Sequence, residues 1–77
     1  MDDFPSMKAK ALLAILTRDP LGYRIVRQRG SHRRLRAPGR PPVQFAWHDR
    51  ETLAPGEVRA VLTRYVGLDR RAALDLL

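Results

Sequence analysis

A basic segment in the middle of the chain sets the main constraint on the fold. Residues 24–40 contain seven arginines and no carboxylate. Charged side chains are almost never fully buried unless they are paired, so a sheet built from this segment must leave one face open to solvent. A charge block of one sign also creates a positive field that suits phosphates. We expect a basic face that contacts nucleic acid; the alternative is a face that is only solvated.

Length and composition exclude several classes of protein. The chain has 77 residues, which is enough for one domain with a thin core. It has no cysteine, which excludes disulfides, thiolate-bound zinc and thiol catalysis. No apolar run approaches the roughly 20 residues of a membrane helix, and the acidic N-terminus does not resemble a signal peptide. We therefore expect one cytoplasmic domain over residues 1–77 that does not enter a membrane.

Apolar spacing predicts two main helices and a short third one. Residues 7–17 are rich in helix formers, and Ser6 before them is a suitable N-cap after a flexible leader of residues 1–6. A second helix should begin at Pro55 and end before Gly67. Its apolar face should be formed by Val58, Val61, Leu62 and Tyr65. Asp69 should cap a helical extension over residues 69–77.

Three strands are predicted between the two main helices. β-branched, aromatic and alternating apolar residues mark residues 23–28, 31–36 and 43–47. For the order αβββα, an antiparallel meander with both helices on one face is the simplest arrangement. The predicted fold class is therefore α+β, with a three-stranded antiparallel sheet, two helices on one face and a short C-terminal helix.

Alternation along the second predicted strand assigns its two faces. Leu35 must point toward the helices, and Arg33 shares its parity, so we expect Arg33 near the rim of the strand. The residues of opposite parity should lie on the open face: His32, Arg34 and Arg36.

The same alternation leaves two registers for the second hairpin. Leu35 pairs either with Phe45 or with Val43. His32 faces His48 directly in the first register and lies diagonal to it in the second. Both registers bring the two imidazoles near each other, which makes His48 a second candidate for acid–base chemistry. The alternative is that His48 is a loop residue that caps a turn.

RNA cleavage requires few protein groups, and this chain has them. The 2′-hydroxyl of RNA is a nucleophile already attached to the substrate, so a protein needs a base, an acid and cations for the transition state. His32 can supply the acid–base group, and three arginines can supply the charge: Arg29, Arg34 and Arg36. Two histidines without clustered carboxylates make a poor metal site, so we expect neither a metal nor another cofactor.

Two motifs in this order resemble the HicA family of toxins. One is Gly30-Ser31-His32, which follows a basic strand. The other is Leu-x-x-Gly-x-x-x-x-Val-Leu at residues 53–62, in the second predicted helix, which is followed by Gly67 and Leu68. The first motif alone is common, whereas the order and spacing of both are specific. The resemblance runs from Met7 to about Leu68, which we take as the core of the domain.

The resemblance implies a fold like that of double-stranded-RNA-binding domains. It also implies an endoribonuclease toxin of a type II toxin–antitoxin system that cleaves mRNA without a metal. The family's catalytic histidine would correspond to His32. A HicB-type antitoxin would bind over the basic face, with a homodimer or a heterotetramer as the assembly. We predict that RNA is contacted by Lys8, Arg29, Arg33, Arg34 and Arg36.

Two other functions are compatible with the same charge and fold. One is a non-catalytic RNA-binding module, in which shape and phosphate recognition suffice and His32 is replaceable. The other is an interaction protein whose basic face docks on an acidic partner.

Overall fold

A computed structural model describes residues 3–77 of the chain. Strand β1 (Met7–Lys8) and helix α1 (Ala9–Thr17) precede strands β2 (Arg24–Arg29), β3 (His32–Arg36), β4 (Val43–Phe45) and β5 (Thr52–Leu53). Helix α2 (Pro55–Arg59) continues as a π-helical segment (Ala60–Tyr65), and helix α3 (Arg70–Leu74) follows. Strands β2, β3 and β4 form an antiparallel sheet in that order, and β1 pairs antiparallel with β5. The predicted α+β fold class is confirmed.

The core lies between one face of the β2–β3–β4 sheet and the helices. Side chains alternate along β3 and β4, so that Leu35, Val43 and Phe45 are buried while their neighbours are exposed or only partly buried. The helices contribute the opposing apolar side chains: Leu12, Ile15, Leu16, Val58, Val61 and Leu62. The other face of the sheet remains open. Within the described chain, no helix is long and apolar enough to cross a membrane.

The start of α1 differs from the prediction. Ser6 is not the N-cap, because the helix begins at Ala9 and Lys8 occupies the cap position. The two residues before the helix pair with Thr52–Leu53 instead. The amides of Ala9 and Lys10 donate to carbonyls of the loop before β5, at 2.8 and 3.1 Å. A distant backbone thus satisfies amides that a local cap would otherwise bind.

The N-terminal segment also differs from the predicted leader. Phe4 is buried in the core, and Asp3 forms an ion pair with Arg70. The remainder of the predicted leader includes Met1 and Asp2, which lie outside the described residues. Burial of an aromatic ring is a large apolar gain in a small domain, which explains why this segment packs.

A tight turn and a bulge shape the β2–β3 hairpin. Gly30 has a φ of +60°, and Ser31 follows without a positive φ, which is the pattern of a type II′ turn. Arg29 therefore pairs with His32. Farther from the turn the register shifts by one residue between Ile25 and Arg27, so Val26 is the extra residue of a β-bulge.

The π-helical segment changes which residues of the second helix are buried. The Val66 amide donates to the Val61 carbonyl at 3.0 Å, which is an i→i−5 hydrogen bond. The wider turn inserts one residue into the repeat, so Val66 is buried and Tyr65 is 44% exposed. The prediction that Tyr65 belongs to the buried face is therefore wrong.

Two predicted helix boundaries are confirmed: the end of the second helix before Gly67 and the start of the third helix at Asp69. Gly67 follows the π-helical segment with a φ of +88°, which suits glycine at a helix C-terminus. The carboxylate of Asp69 accepts a hydrogen bond from the Ala72 amide at 2.7 Å and caps α3. At the start of α2, Glu57 accepts from the Ala54 amide at 3.0 Å.

Candidate nucleic-acid interface

Three cross-strand pairs of the β2–β3 hairpin face away from the helices. They are Arg24–Arg36, Arg27–Arg34 and Arg29–His32. Gln44 of β4 lies opposite Arg34 on the same side. We call the surface made by these seven residues the open face. It carries five guanidinium groups and one imidazole, which lies at the end of the face nearest the turn.

The bulge at Val26 places the arginines of β2 on one face. Arg24 differs in parity from Arg27 and Arg29, so a regular strand would divide them between the two faces. The extra residue restores the alternation, and all three point to the open face while Ile25 pairs with Leu35 on the helix side. Arg24 and Arg27 are not among the residues that the sequence analysis predicts for the site. A sequence signal for the bulge is that Ile25 has the same parity as Arg27 and Arg29. A regular strand that turned Ile25 toward the helices would turn these two arginines toward them as well.

A cavity of about 290 Å³ lies on the open face. It is lined by Arg27, Arg29, His32, Arg34 and Gln44. Of the described residues, no aspartate or glutamate lines it. An imidazole beside three guanidinium groups combines an acid–base group with cations that bind phosphate oxygens.

His32 lies at the turn end of this cavity. It is the first residue of β3, directly after the Gly30–Ser31 turn, and its side chain is exposed. Its cross-strand partner is Arg29, so a cation lies beside the imidazole on the same face. A phosphodiester bound by the guanidinium groups would therefore meet the ring from the solvent side.

A comparison with known protein families shows the family of this chain. The family model described as the HicA toxin of bacterial toxin–antitoxin systems matches residues 9–68. This range includes α1, the whole β2–β3–β4 sheet and the second helix. The chain belongs to the HicA toxin family. No match is found among curated proteins or among solved structures.

Both motifs that resemble HicA have defined places in the fold of this HicA chain. Gly30-Ser31-His32 forms the turn into β3 and begins the central strand. The motif at residues 53–62 spans the end of β5, helix α2 and the start of the π-helical segment. The first motif thus contributes to the open face, and the second builds the core beneath it.

Arg33 lies apart from the open face of this HicA chain. Its side chain points to the helix side and is only 12% exposed, and its Nη2 donates to Asp49 Oδ1 at 2.8 Å. Its Nη1 is buried and has no hydrogen-bond partner within residues 3–77. This geometry makes Arg33 a cation that joins the sheet to the loop after β4, so we leave it out of the proposed RNA contacts.

Lys8 also lies outside the open face. It belongs to the β1–β5 pair, and its Nζ donates to Thr52 Oγ1 at 2.9 Å and to the Arg50 carbonyl at 3.2 Å. The Lys8 side chain is exposed, and its ammonium group joins β1 to β5 and to the loop before β5. An RNA contact by Lys8 stays a prediction.

His48 is in a loop, and its backbone is held by Glu51. The His48 amide donates to Glu51 Oε2 at 2.6 Å, and its carbonyl accepts from the Glu51 amide at 3.0 Å. The observed register pairs Leu35 with Val43, which is the second of the two predicted registers. His48 does not line the cavity that contains His32. Its part in catalysis stays a prediction.

No cluster of three His, Asp or Glu side chains suited to a metal ion occurs among the residues that the structure describes.

Proposed function

We propose that this HicA chain is an endoribonuclease that cleaves mRNA with His32 as the acid–base group. The observation that carries the proposal is the position of His32 in a cavity that it shares with the guanidinium groups of Arg27, Arg29 and Arg34. Family membership supports the role of a toxin, and the exposed sheet face supports access by an RNA backbone.

The proposed reaction uses groups of the RNA and of this chain. The 2′-oxygen attacks the adjacent phosphorus while the imidazole of His32 accepts its proton. The bond from phosphorus to the 5′-oxygen breaks, and that oxygen takes a proton from the imidazolium or from water. The products are a 2′,3′-cyclic phosphate and a 5′-hydroxyl. The negative charge of the five-coordinate phosphorus is stabilised by the three cations of the cavity, Arg27, Arg29 and Arg34.

Phosphate contacts would extend beyond the cavity. Arg24 and Arg36 form the neighbouring cross-strand pair of the open face, one step along the hairpin. An RNA strand that follows this face would place successive phosphates near successive arginine pairs. Arg36 thus keeps the phosphate-binding role predicted from the sequence, and Arg24 is added to it.

The proposed partner is a HicB-type antitoxin that covers the open face. Toxin–antitoxin membership requires a neutralising partner, and a partner with acidic groups would match the five arginines of this face. Cleavage of mRNA implies that the chain acts in the cytoplasm. The proposed assembly is a homodimer of this chain or a heterotetramer with the antitoxin.

Cleavage of labelled RNA by purified protein tests the proposal. Wild-type protein should generate fragments with 2′,3′-cyclic phosphate ends in buffer that contains EDTA. His32→Ala should stop cleavage and growth arrest while the circular dichroism spectrum and RNA affinity persist, because His32 is exposed and adds no core packing.

Two results would contradict the proposal in different ways. If His32→Ala cleaves as well as wild type, His32 is not the acid–base group. If the wild-type protein binds RNA with steep salt dependence and never cuts it, the chain is a non-catalytic RNA-binding module. His48→Ala, assayed in parallel, separates the two histidines: full activity would remove His48 from the mechanism.

A further inference from the structure

A second cavity of about 540 Å³ lies along the free edge of β4. It is lined by two aromatic residues, Trp47 and Tyr65, together with Pro42, Gln44, Ala46 and Arg64. Its walls thus combine flat rings with an amide and a guanidinium group. The proposed cleavage reaction does not use these aromatic, amide and guanidinium groups.

The fold holds both rings at this cavity. Trp47 packs edge-on against the buried ring of Phe45, with centroids 5.1 Å apart and an interplanar angle of 74°. Tyr65 reaches the cavity because the π-helical segment turns it away from the core, where an α-helix would have buried it. π-Helical turns occur often at functional sites, since an inserted residue re-aims the side chains around it.

Gln44 connects this cavity to the open face. The same side chain lines the aromatic cavity and the cavity that contains His32. A ligand whose phosphate backbone lies on the arginines of the open face could therefore place an attached group beyond Gln44, in the cavity at the edge of β4. Phosphate and base are joined in this way in a nucleotide.

We propose that the aromatic cavity binds one unpaired base of the RNA whose backbone lies on the open face. The inference rests on the proposed RNA-binding function and adds a base-binding subsite to it. Aromatic side chains bind single-stranded RNA by stacking on bases, and amide and guanidinium groups can bond to base edges. Tyr65 and Trp47 would supply the stacking, while Gln44 and Arg64 would supply polar contacts. The cavity would thus make the protein favour single-stranded over duplex RNA.

A fluorescent base tests the subsite without cleavage. The protein carries His32→Ala, so that the RNA stays intact. The probes are short single-stranded oligoribonucleotides, each with one 2-aminopurine at a different position and a dye at one end. Dye anisotropy reports binding, and quenching of 2-aminopurine reports stacking. We expect quenching at one position in the series.

Variants at Tyr65 identify the ring responsible. Tyr65→Ala should abolish the quenching and weaken RNA affinity by roughly fivefold to tenfold, and Tyr65→Phe should preserve both because it keeps the ring. Leu77→Ala is the matched control, since Leu77 is as exposed as Tyr65, at 44%, and does not line the cavity. Circular dichroism establishes that each variant is folded.

The possible failures are distinguishable. If no oligonucleotide binds, the proposed RNA-binding function fails and the subsite fails with it. If RNA binds and Arg34→Ala weakens that binding, while Tyr65→Ala changes neither affinity nor quenching, only the subsite is overturned. Quenching that survives in Tyr65→Ala and is lost in Leu77→Ala would also overturn it.

Discussion

Arg33 forms an ion pair with Asp49 at 2.8 Å on the helix side of β3, and its neighbour His32 faces the opposite side of the same strand. These two adjacent residues therefore lie on opposite faces of β3 and have different roles. Arg33 joins the sheet to the loop that follows β4, and His32 belongs to the open face, which we propose as the RNA-binding surface.

Asp49→Asn should therefore change stability more than RNA binding. Arg33 is 12% exposed and would lose its charged partner, whereas Asp49 is half exposed and partly screened by solvent. We expect the free energy of unfolding to fall by about 1 kcal/mol, measured by urea denaturation. Arg34→Ala is the matched comparison and should weaken RNA binding with little loss of stability. A variant Asp49→Asn that is fully stable but binds RNA as poorly as Arg34→Ala would assign Arg33 to the RNA.

The bulge in β2 allows a test by deletion of single residues. Removing Val26 should leave a regular hairpin in which Ile25 still faces Leu35 and Arg27 still faces the open side. Removing Gln28 also abolishes the bulge, but Arg27 then moves to the helix side. We expect the protein without Val26 to bind RNA nearly as wild type does. The protein without Gln28 should bind as weakly as Arg27→Ala.

Both deletions shorten the same edge strand by one residue, so they match in chain length and differ in the direction of one arginine. Affinity from fluorescence anisotropy and folding from circular dichroism are measured for each. Equal RNA affinities in two folded deletion variants would show that the side on which Arg27 lies has no influence on binding.

Salt dependence distinguishes open-face arginines from other surface arginines. Arg27→Ala should lower the slope of log affinity against log salt concentration by about 0.7 for single-stranded RNA, because one phosphate contact is lost. Arg71→Ala is the control: Arg71 lies on α3, is highly exposed and pairs weakly with Asp75 at 3.8 Å. Titrations at several salt concentrations give both slopes. The same decrease in both variants would mean that net charge alone, and not the open face, determines binding.

Local alternation was sufficient to predict the central part of the site. Leu35 is the apolar residue among the arginines of β3, so burying it determines the side on which His32 and Arg34 lie. The same argument reduced the β3–β4 register to two choices, one of which is observed. These features depend on neighbours in sequence or on one hairpin, which is why the sequence specifies them well.

Features that depend on inserted residues or distant backbone were missed. A parity rule assumes regular strands, whereas Arg24 and Arg27 lie on one face because of the bulge at Val26. The helical repeat assumes 3.6 residues per turn, so it assigned Tyr65 to the core. The start of α1 depends on pairing between Met7–Lys8 and Thr52–Leu53, which are more than forty residues apart.

Tyr23 secures the connection that leads into β4. Its hydroxyl donates to the Pro41 carbonyl at 2.7 Å, and the ring is buried in the core just before β2. Pro41 and Pro42 have no amide hydrogen to donate, so this bond holds a segment that contributes little to the sheet. Tyr23→Phe should lower the free energy of unfolding by about 1 kcal/mol at neutral pH, as measured by urea denaturation.

The same residue should make stability fall in alkaline solution. Burial raises the pKa of the Tyr23 hydroxyl above its ordinary value, and the charge of Arg40 offsets part of that rise. The folded state therefore favours the neutral phenol. This contribution to stability is complete below the unfolded pKa of about 10 and is lost as pH rises through the higher folded pKa. Tyr23→Phe should lack this alkaline loss, whereas Tyr65→Phe should retain it. Parallel curves of unfolding free energy against pH for all three proteins would contradict this assignment.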